Sequence, residues 1–127
     1  MKYLTAQQVL FIHARLIAET GGSKGFLDLS LLESAIARPS MTFDNQDLYP
    51  DVFDKAAALM DSLVNNHPFV DGNKRAGITS AALFLRTNGF RIICSHEELE
   101  NFTLKIATGH PAIADISNWL KANSRLE

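Results

Sequence analysis

Between Lys74 and Asn88, apolar side chains point in several helical directions at once: Ala76, Ile78, Ala81, Ala82, Leu83, Phe84 and Leu85 cover much of a helix circumference. A helix that is apolar nearly all round is stable only when buried. This segment is therefore expected to be the central element of the fold, with other helices packed around it. The flanking sequence supplies them. Thr5 to Glu19 carries Val9, Ile12, Leu16 and Ile17 on one face, and Thr5 with Gln8 three residues on forms a capping box. Asp28 is placed to cap a helix reaching about Arg38, with Leu29, Leu32, Ala35 and Ile36 as its buried stripe and Pro39 as its stop. A third helix covers about Asp51 to Asn66 on Val52, Ala56, Leu59, Met60 and Leu63. Ser95 with Glu98 opens another, reaching about Thr108, and a last one spans Ala112 to Asn123 with Ile113, Ile116, Trp119 and Leu120 inward.

The breaks between these segments are equally legible. Gly21, Gly22 and Gly25 mark a turn, and Ser40 to Pro50 is irregular around the polar run Asp44-Asn45-Gln46-Asp47. Asn88-Gly89 ends the central helix with Gly89 as the residue past the cap. Phe90 to Cys94 suits a short strand or an extended connector, and Gly109-His110-Pro111 is a further break. The expected architecture is all-α, five to six helices around a buried central helix, in one domain over residues 1–127. A chain of 127 residues, 46% hydrophobic, is long enough to bury such a core without disulfides or metals.

Composition narrows the functional classes. A net charge of -2 gives no broad basic surface, so direct nucleic-acid binding is not expected. No stretch approaches the roughly 20 apolar residues of a membrane span, and the first ten residues lack the apolar run of a signal peptide. Cys94 is the only cysteine, so no intramolecular disulfide can form. These observations lead us to expect a cytoplasmic protein without a membrane partner.

The chemistry concentrates in nine residues, His67-Pro68-Phe69-Val70-Asp71-Gly72-Asn73-Lys74-Arg75, immediately before the apolar helix. A helix N-terminus presents unpaired N–H groups and partial positive charge, and a glycine beside it lets an anion approach. Gly72 opens the turn, Asn73 can cap it or bond within it, and Lys74 and Arg75 add two full positive charges. Phosphate groups are the natural ligand. Asp71 stands at the edge of this spot, where a carboxylate is repelled by polyphosphate unless a cation such as Mg²⁺ bridges them. His67, across Pro68 and Phe69, has the near-neutral imidazole suited to take a proton from a hydroxyl. Phe69 and Val70 are expected to anchor the loop in the core. Taken singly, each residue has a plainer reading: Asp71 or Asn73 as an N-cap, Phe69 as a hydrophobic staple, Lys74 and Arg75 as a solvated first turn. On the residues alone both readings stay open.

The nine-residue run resembles the motif of the Fic family, a His-Pro-Phe loop followed by an acidic residue, Gly-Asn, a variable position and Arg. Lys74 at the variable position is similar to the Doc branch, the death-on-curing toxins of toxin–antitoxin pairs. The Gly21-Gly22 turn, Leu31-Leu32-Glu33-Ser34-Ala35, the Tyr49-Pro50 pair and Phe84-Leu85-Arg86-Thr87-Asn88-Gly89 extend the likeness over nearly the whole chain. The resemblance implies a Fic/Doc fold, with His67 as general base, Asp71 as the Mg²⁺ ligand, Gly72, Asn73, Lys74 and Arg75 around the phosphates of ATP, and Phe69 as loop anchor. Two departures from the adenylyl-transferase pattern matter: Lys74 replaces a Gly, and Ile78 replaces a second Arg. The Doc branch shares both, whereas Gly72 is Fic-like where Doc proteins commonly have Ala.

The branch implies transfer of the γ-phosphate to a threonine of elongation factor Tu, which halts translation. The alternatives are adenylyl transfer to a protein hydroxyl and a Fic-fold binding module without turnover. The self-inhibitory pattern of Ser or Thr, Glu four residues on, then Gly or Asn, is absent from the sequence: Glu100 precedes Asn101, but His96 stands four residues before it. Restraint is then expected from a separate, Phd-like antitoxin whose disordered tail folds onto the toxin. Among other residues, His13 is expected to be a hydrogen-bonded, partly buried histidine, and the resemblance to Doc-type proteins implies that it supports the active-site wall. His96 and His110 lack the i+4 histidine partners of a zinc site. Cys94 is expected in the core, Arg86 and Lys105 on the surface, and Thr79 near the site.

Overall fold

The computed structural model describes residues 1–25 and 28–127. Among the described residues six α-helices follow one another: α1 (Ala6–Thr20), α2 (Leu29–Ala37), α3 (Val52–Asn65), α4 (Asn73–Thr87), α5 (His96–Gly109) and α6 (Ile113–Ala122). Four begin where a side chain can satisfy their first N–H groups. Thr5 accepts from Gln8, Asp28 from Ser30, Asp51 from Phe53 and Asp54, and Ser95 from Glu98. Such a cap stabilises a helix start by about 1 kcal/mol. Gly89, at φ 94°, lies just past the cap of α4, a conformation that costs glycine nothing.

The most deeply buried helix is α3, which corrects the expectation that Lys74–Asn88 would be central. Eleven of the 14 residues of α3 are buried, against seven of the 15 in α4. Lys74 and Arg86 leave α4 with an exposed side, whereas Ala56-Ala57-Ala58 lets neighbours approach α3 closely all round. The two helices pack intimately at Gly77, where an added Cβ would lie 2.7 Å from Val64 Cγ2. The core runs along them through Leu59, Met60, Leu63, Ala76, Ala81, Phe84 and Leu85, closed by Ile106 of α5 and by Ile116 and Leu120 of α6. Ile113 and Trp119 are only partly buried, Trp119 stacking on Phe102 with centroids 3.9 Å apart. Leu29, expected in the buried stripe of α2, is exposed; Leu32 and Ala35 carry that packing. Cys94 is also not a core residue but half-buried. Desolvation, with the Glu98 carboxylate nearby, raises its thiol pKa.

Two small antiparallel pairs complete the structure. In the expected irregular segment, β1 (Thr42–Phe43) pairs with β2 (Gln46–Asp47) through a two-residue turn in which Asp44 and Asn45 both have positive φ. That backbone twist is the one tight hairpins select. The hairpin is tied to α3 by Lys55, whose buried ammonium donates to the Pro39 carbonyl at 3.1 Å and to Asp47 at 3.2 Å. Before it, a 3₁₀ turn at Arg38–Ser40 contains buried Pro39. The Arg38 guanidinium reaches Asp61 at 2.8 Å and Tyr49 at 3.0 Å. Burial works against its charge, but these bonds more than offset that, and its pKa stands above the ordinary value. After α4, β3 (Phe90–Ile92) pairs with β4 (Ser124–Leu126), so the connector is a strand whose partner comes from the end of the chain. No helix among the described residues is long and apolar enough to cross a membrane.

Candidate active site

The segment between α3 and α4 is a tight loop whose shape depends on three unusual positions. His67, just after α3, has φ 51°. A left-handed conformation costs an L-residue about 1–2 kcal/mol, and such outliers gather where function requires them. Pro68, which follows it, steers His67 away from the ordinary helical region and so ends α3. Phe69 then turns inward and is 1% exposed. Val70 does not join it: it is 50% exposed, and the loop is held by Phe69 alone of the two.

Asn73, the first residue of α4, closes the loop from the other side. Its Oδ1 accepts from the Phe69 N–H at 3.0 Å, and its Nδ2 donates to the Phe69 carbonyl at 3.0 Å. This two-point grip fixes the amide orientation, and Asn73 is itself buried. The same Nδ2 lies 3.4 Å from Nδ1 of His67. The imidazole of His67 is exposed, so its ring is open to a second molecule.

The third special position is Gly72, at φ 81°, which caps α4 without any side-chain bond. An added Cβ would sit 3.3 Å from Ile17 Cδ1 and 3.5 Å from His13 Nε2, so both backbone and space favour glycine here. The N–H groups of the first turn of α4 are left for solvent or a ligand. Lys74 is exposed there and Arg75 half-buried. The Arg75 guanidinium is held by the C-terminal end of α1: Nη1 donates to the Thr20 hydroxyl and, at 3.4 Å, to the Gly21 carbonyl. Its Nη2 lies 4.0 Å from Asp71 Oδ1.

Asp71 is gripped at both carboxylate oxygens. Oδ1 accepts from the Gly72 N–H at 2.8 Å and Oδ2 from the Ser23 N–H at 3.3 Å. Gly22 makes this approach possible, because a Cβ there would fall 2.5 Å from Asp71 Oδ2. The Gly21-Gly22 turn is thus part of the site. Sequence reasoning took it only as a turn, since nothing local links it to a residue 49 positions later. Thr20 and Ser23 were missed for the same reason. His13 is where the sequence suggested, buried against the loop with Nε2 2.7 Å from the Asp71 carbonyl.

On the α5 side, a cavity of about 320 Å³ is lined by Lys74, Arg75, Ile78, Glu100, Asn101, Thr103 and Leu104. A second, of about 210 Å³, shares Arg75, Ile78 and Glu100 with it and adds Thr79 and His96. The lining combines two cations, one carboxylate, an amide and apolar side chains, the mix of apolar surface with a few polar groups usual in small-molecule sites. No group of three or more His, Cys, Asp or Glu side chains comes together among the described residues. The donor set for a metal is one exposed carboxylate. That fits Mg²⁺, which takes one or two carboxylates with phosphate oxygens and waters. Arg86 and Lys105 lie on the surface.

Comparison with known proteins places this geometry in context. The Fic/DOC family profile matches residues 3–85, which include the whole loop from His67 to Arg75. The chain is 41% identical over 90 residues to "Toxin Doc" of Mycolicibacterium smegmatis, covering 69% of each protein. It is 29% identical over 121 residues to "Protein kinase doc" of Escherichia phage P1, covering 95% of this chain and 94% of the relative.

Proposed function

The chain belongs to the Fic/DOC family, and from that membership we propose that it is a phosphotransferase that moves the γ-phosphate of ATP to a Ser or Thr hydroxyl of a protein. The observation that carries this reading is the uncapped start of α4 with Lys74, Arg75 and the Asp71 carboxylate around it. Phosphoryl transfer is mostly a matter of positioning and electrostatics, and those parts are assembled before any ligand arrives. Gly72 and the first N–H groups of α4 cradle phosphate oxygens, with Asn73 contributing its main-chain N–H while its side chain keeps the loop in shape. Lys74 and Arg75 neutralise the accumulating charge. Asp71 would hold Mg²⁺, which when bound supplies a positive charge shared with the phosphates. His67 takes the hydroxyl proton as the new O–P bond forms and the bond to ADP breaks.

Ile78 supports γ-transfer over adenylyl transfer. It lines the cavity beyond Arg75, where the adenylyl-transferase pattern has a second arginine, and an alkyl side chain cannot hold a phosphate there. We take the protein target to be elongation factor Tu, the restraint to be a Phd-like antitoxin, and the setting to be the cytoplasm, all three from the resemblance to the Doc branch. Induced expression in bacterial cells tests the enzymatic reading. Wild type should arrest growth and translation, and His67→Ala, at an exposed position, should fold normally and leave growth intact. Arrest by both proteins would instead indicate a binding module without turnover.

A further inference from the structure

His13 is a buried polar side chain on α1, 58 residues from the loop it touches and outside the nine-residue motif. It makes two contacts there of different kinds. Its ring lies flat on Phe69, with centroids 3.8 Å apart and planes within 4°. Its Nε2 is 2.7 Å from the carbonyl oxygen of Asp71. A carbonyl only accepts, so Nε2 carries the hydrogen and donates it.

That carbonyl belongs to the peptide unit joining Asp71 to Gly72. The N–H of the same unit donates to Asp71 Oδ1 at 2.8 Å. One rigid plane is therefore held at both ends, by His13 on its oxygen and by the Asp71 carboxylate on its nitrogen. The plane is otherwise a soft point, because it adjoins a glycine and turns when only Asp71 ψ and Gly72 φ change. Turning it would swing the N–H away from Oδ1 and leave the Ser23 N–H, at 3.3 Å from Oδ2, as the remaining backbone donor to the carboxylate. The Phe69 end of the loop has its own grip in Asn73; the Asp71 end has His13.

We infer that His13 is a positioning residue for the transfer reaction: its Nε2–H sets the Asp71–Gly72 peptide, and through it the Asp71 carboxylate and the entrance to α4. This inference rests on the proposed phosphotransfer. Its test separates the hydrogen bond from the packing. His13→Phe keeps a flat ring on Phe69 and loses the donor, whereas His13→Gln keeps an N–H donor and loses the ring.

With labelled ATP and the protein target, His13→Phe should lose about 10–100-fold in kcat, the scale expected when a site is misplaced by an ångström. Its Tm should stay within a few degrees of wild type. His13→Gln should recover kcat to within about threefold, as the donor and not the ring sets the geometry. A His13→Phe protein with wild-type kcat, or a His13→Gln protein as slow as His13→Phe, would overturn the inference. If wild type itself transfers nothing, the proposed function fails and the inference is decided by NMR of the free protein. The Asp71 carbonyl ¹³C and Gly72 amide ¹⁵N resonances should then move in His13→Phe and stay near wild type in His13→Gln; no movement in His13→Phe overturns it. Should His13→Phe not fold, wild type decides: a slowly exchanging imidazole Nε2–H supports the bond, and rapid exchange contradicts it.

Discussion

The two most extensively packed helices of the core, α3 and α4, begin in opposite ways. Asp51 closes α3 with bonds of 2.8 and 2.9 Å to the N–H groups of Phe53 and Asp54, and Asp54 returns a bond to the cap. At α4 the cap is Gly72, with no side chain to give. The start of α3 thus has its donors satisfied and carries negative charge. The start of α4 leaves its donors open and carries Lys74 and Arg75. A capped start is worth about 1 kcal/mol to a helix. Leaving that out at α4 is tolerable because packing holds the helix: Phe84, Leu85 and Ala81 are fully buried in the core. One helix start serves stability, and the other, on the proposed function, is left open for an anion.

The sharpest way to break this contrast is at α4. Replacing both Lys74 and Arg75 with Ala should weaken nucleotide triphosphate binding at least about 100-fold, since bonds to charged groups contribute roughly 1.5–3 kcal/mol each. Calorimetry of ATP with Mg²⁺ reads this, and unchanged affinity would place the phosphates elsewhere. Next in size is the packing between the two helices. Gly77→Ala gains up to about 1 kcal/mol of helix propensity but pushes a methyl group into stiff Val64, an overlap worth about 1–3 kcal/mol. Denaturant unfolding should show a net loss of stability; a gain would mean that α3 and α4 separate easily. The mirror experiment, Asp51→Ala, should cost about 1 kcal/mol of stability and leave ATP affinity unchanged.

The smallest expected effect is at α2. The Asp28 carboxyl is held below its ordinary value of 3.8, first by the Ser30 hydroxyl and then by the Ser30 N–H. A depressed folded pKa contributes stability that is present above the unfolded value and lost as pH falls through the folded one. Stability should therefore drop below about pH 4, and Asp28→Asn should flatten that part of the profile.

The contrast also shows which features can be read from a sequence. The caps at Thr5, Asp28 and Ser95 were legible because cap and donor lie within three residues of each other, whereas Asp51 was read only as the approximate start of α3. Loop residues His67 to Arg75 were legible as a group for the same reason. The β1–β2 hairpin was not, because two-residue strands show no alternation and Asp44-Asn45 looks like any polar loop. The β3–β4 pair joins Phe90 to Leu126, too far apart for any pattern to link. The hold on Asp71 by Ser23 and the clearance at Gly22 are equally remote. Burial rank was misread because the alanines of α3 look weakly apolar, yet small side chains are what allow helices to close on all sides of it.

The central claim is that the open start of α4 serves γ-phosphate transfer with His67 as base. It is tested most directly by incubating the protein with Mg²⁺, elongation factor Tu and ATP labelled at either the α or the γ phosphate, with His67→Ala as control. The account predicts label on the target from the γ position only, and none with His67→Ala. Label from the α position would mean adenylyl transfer and contradict the weight placed on Ile78 and Lys74.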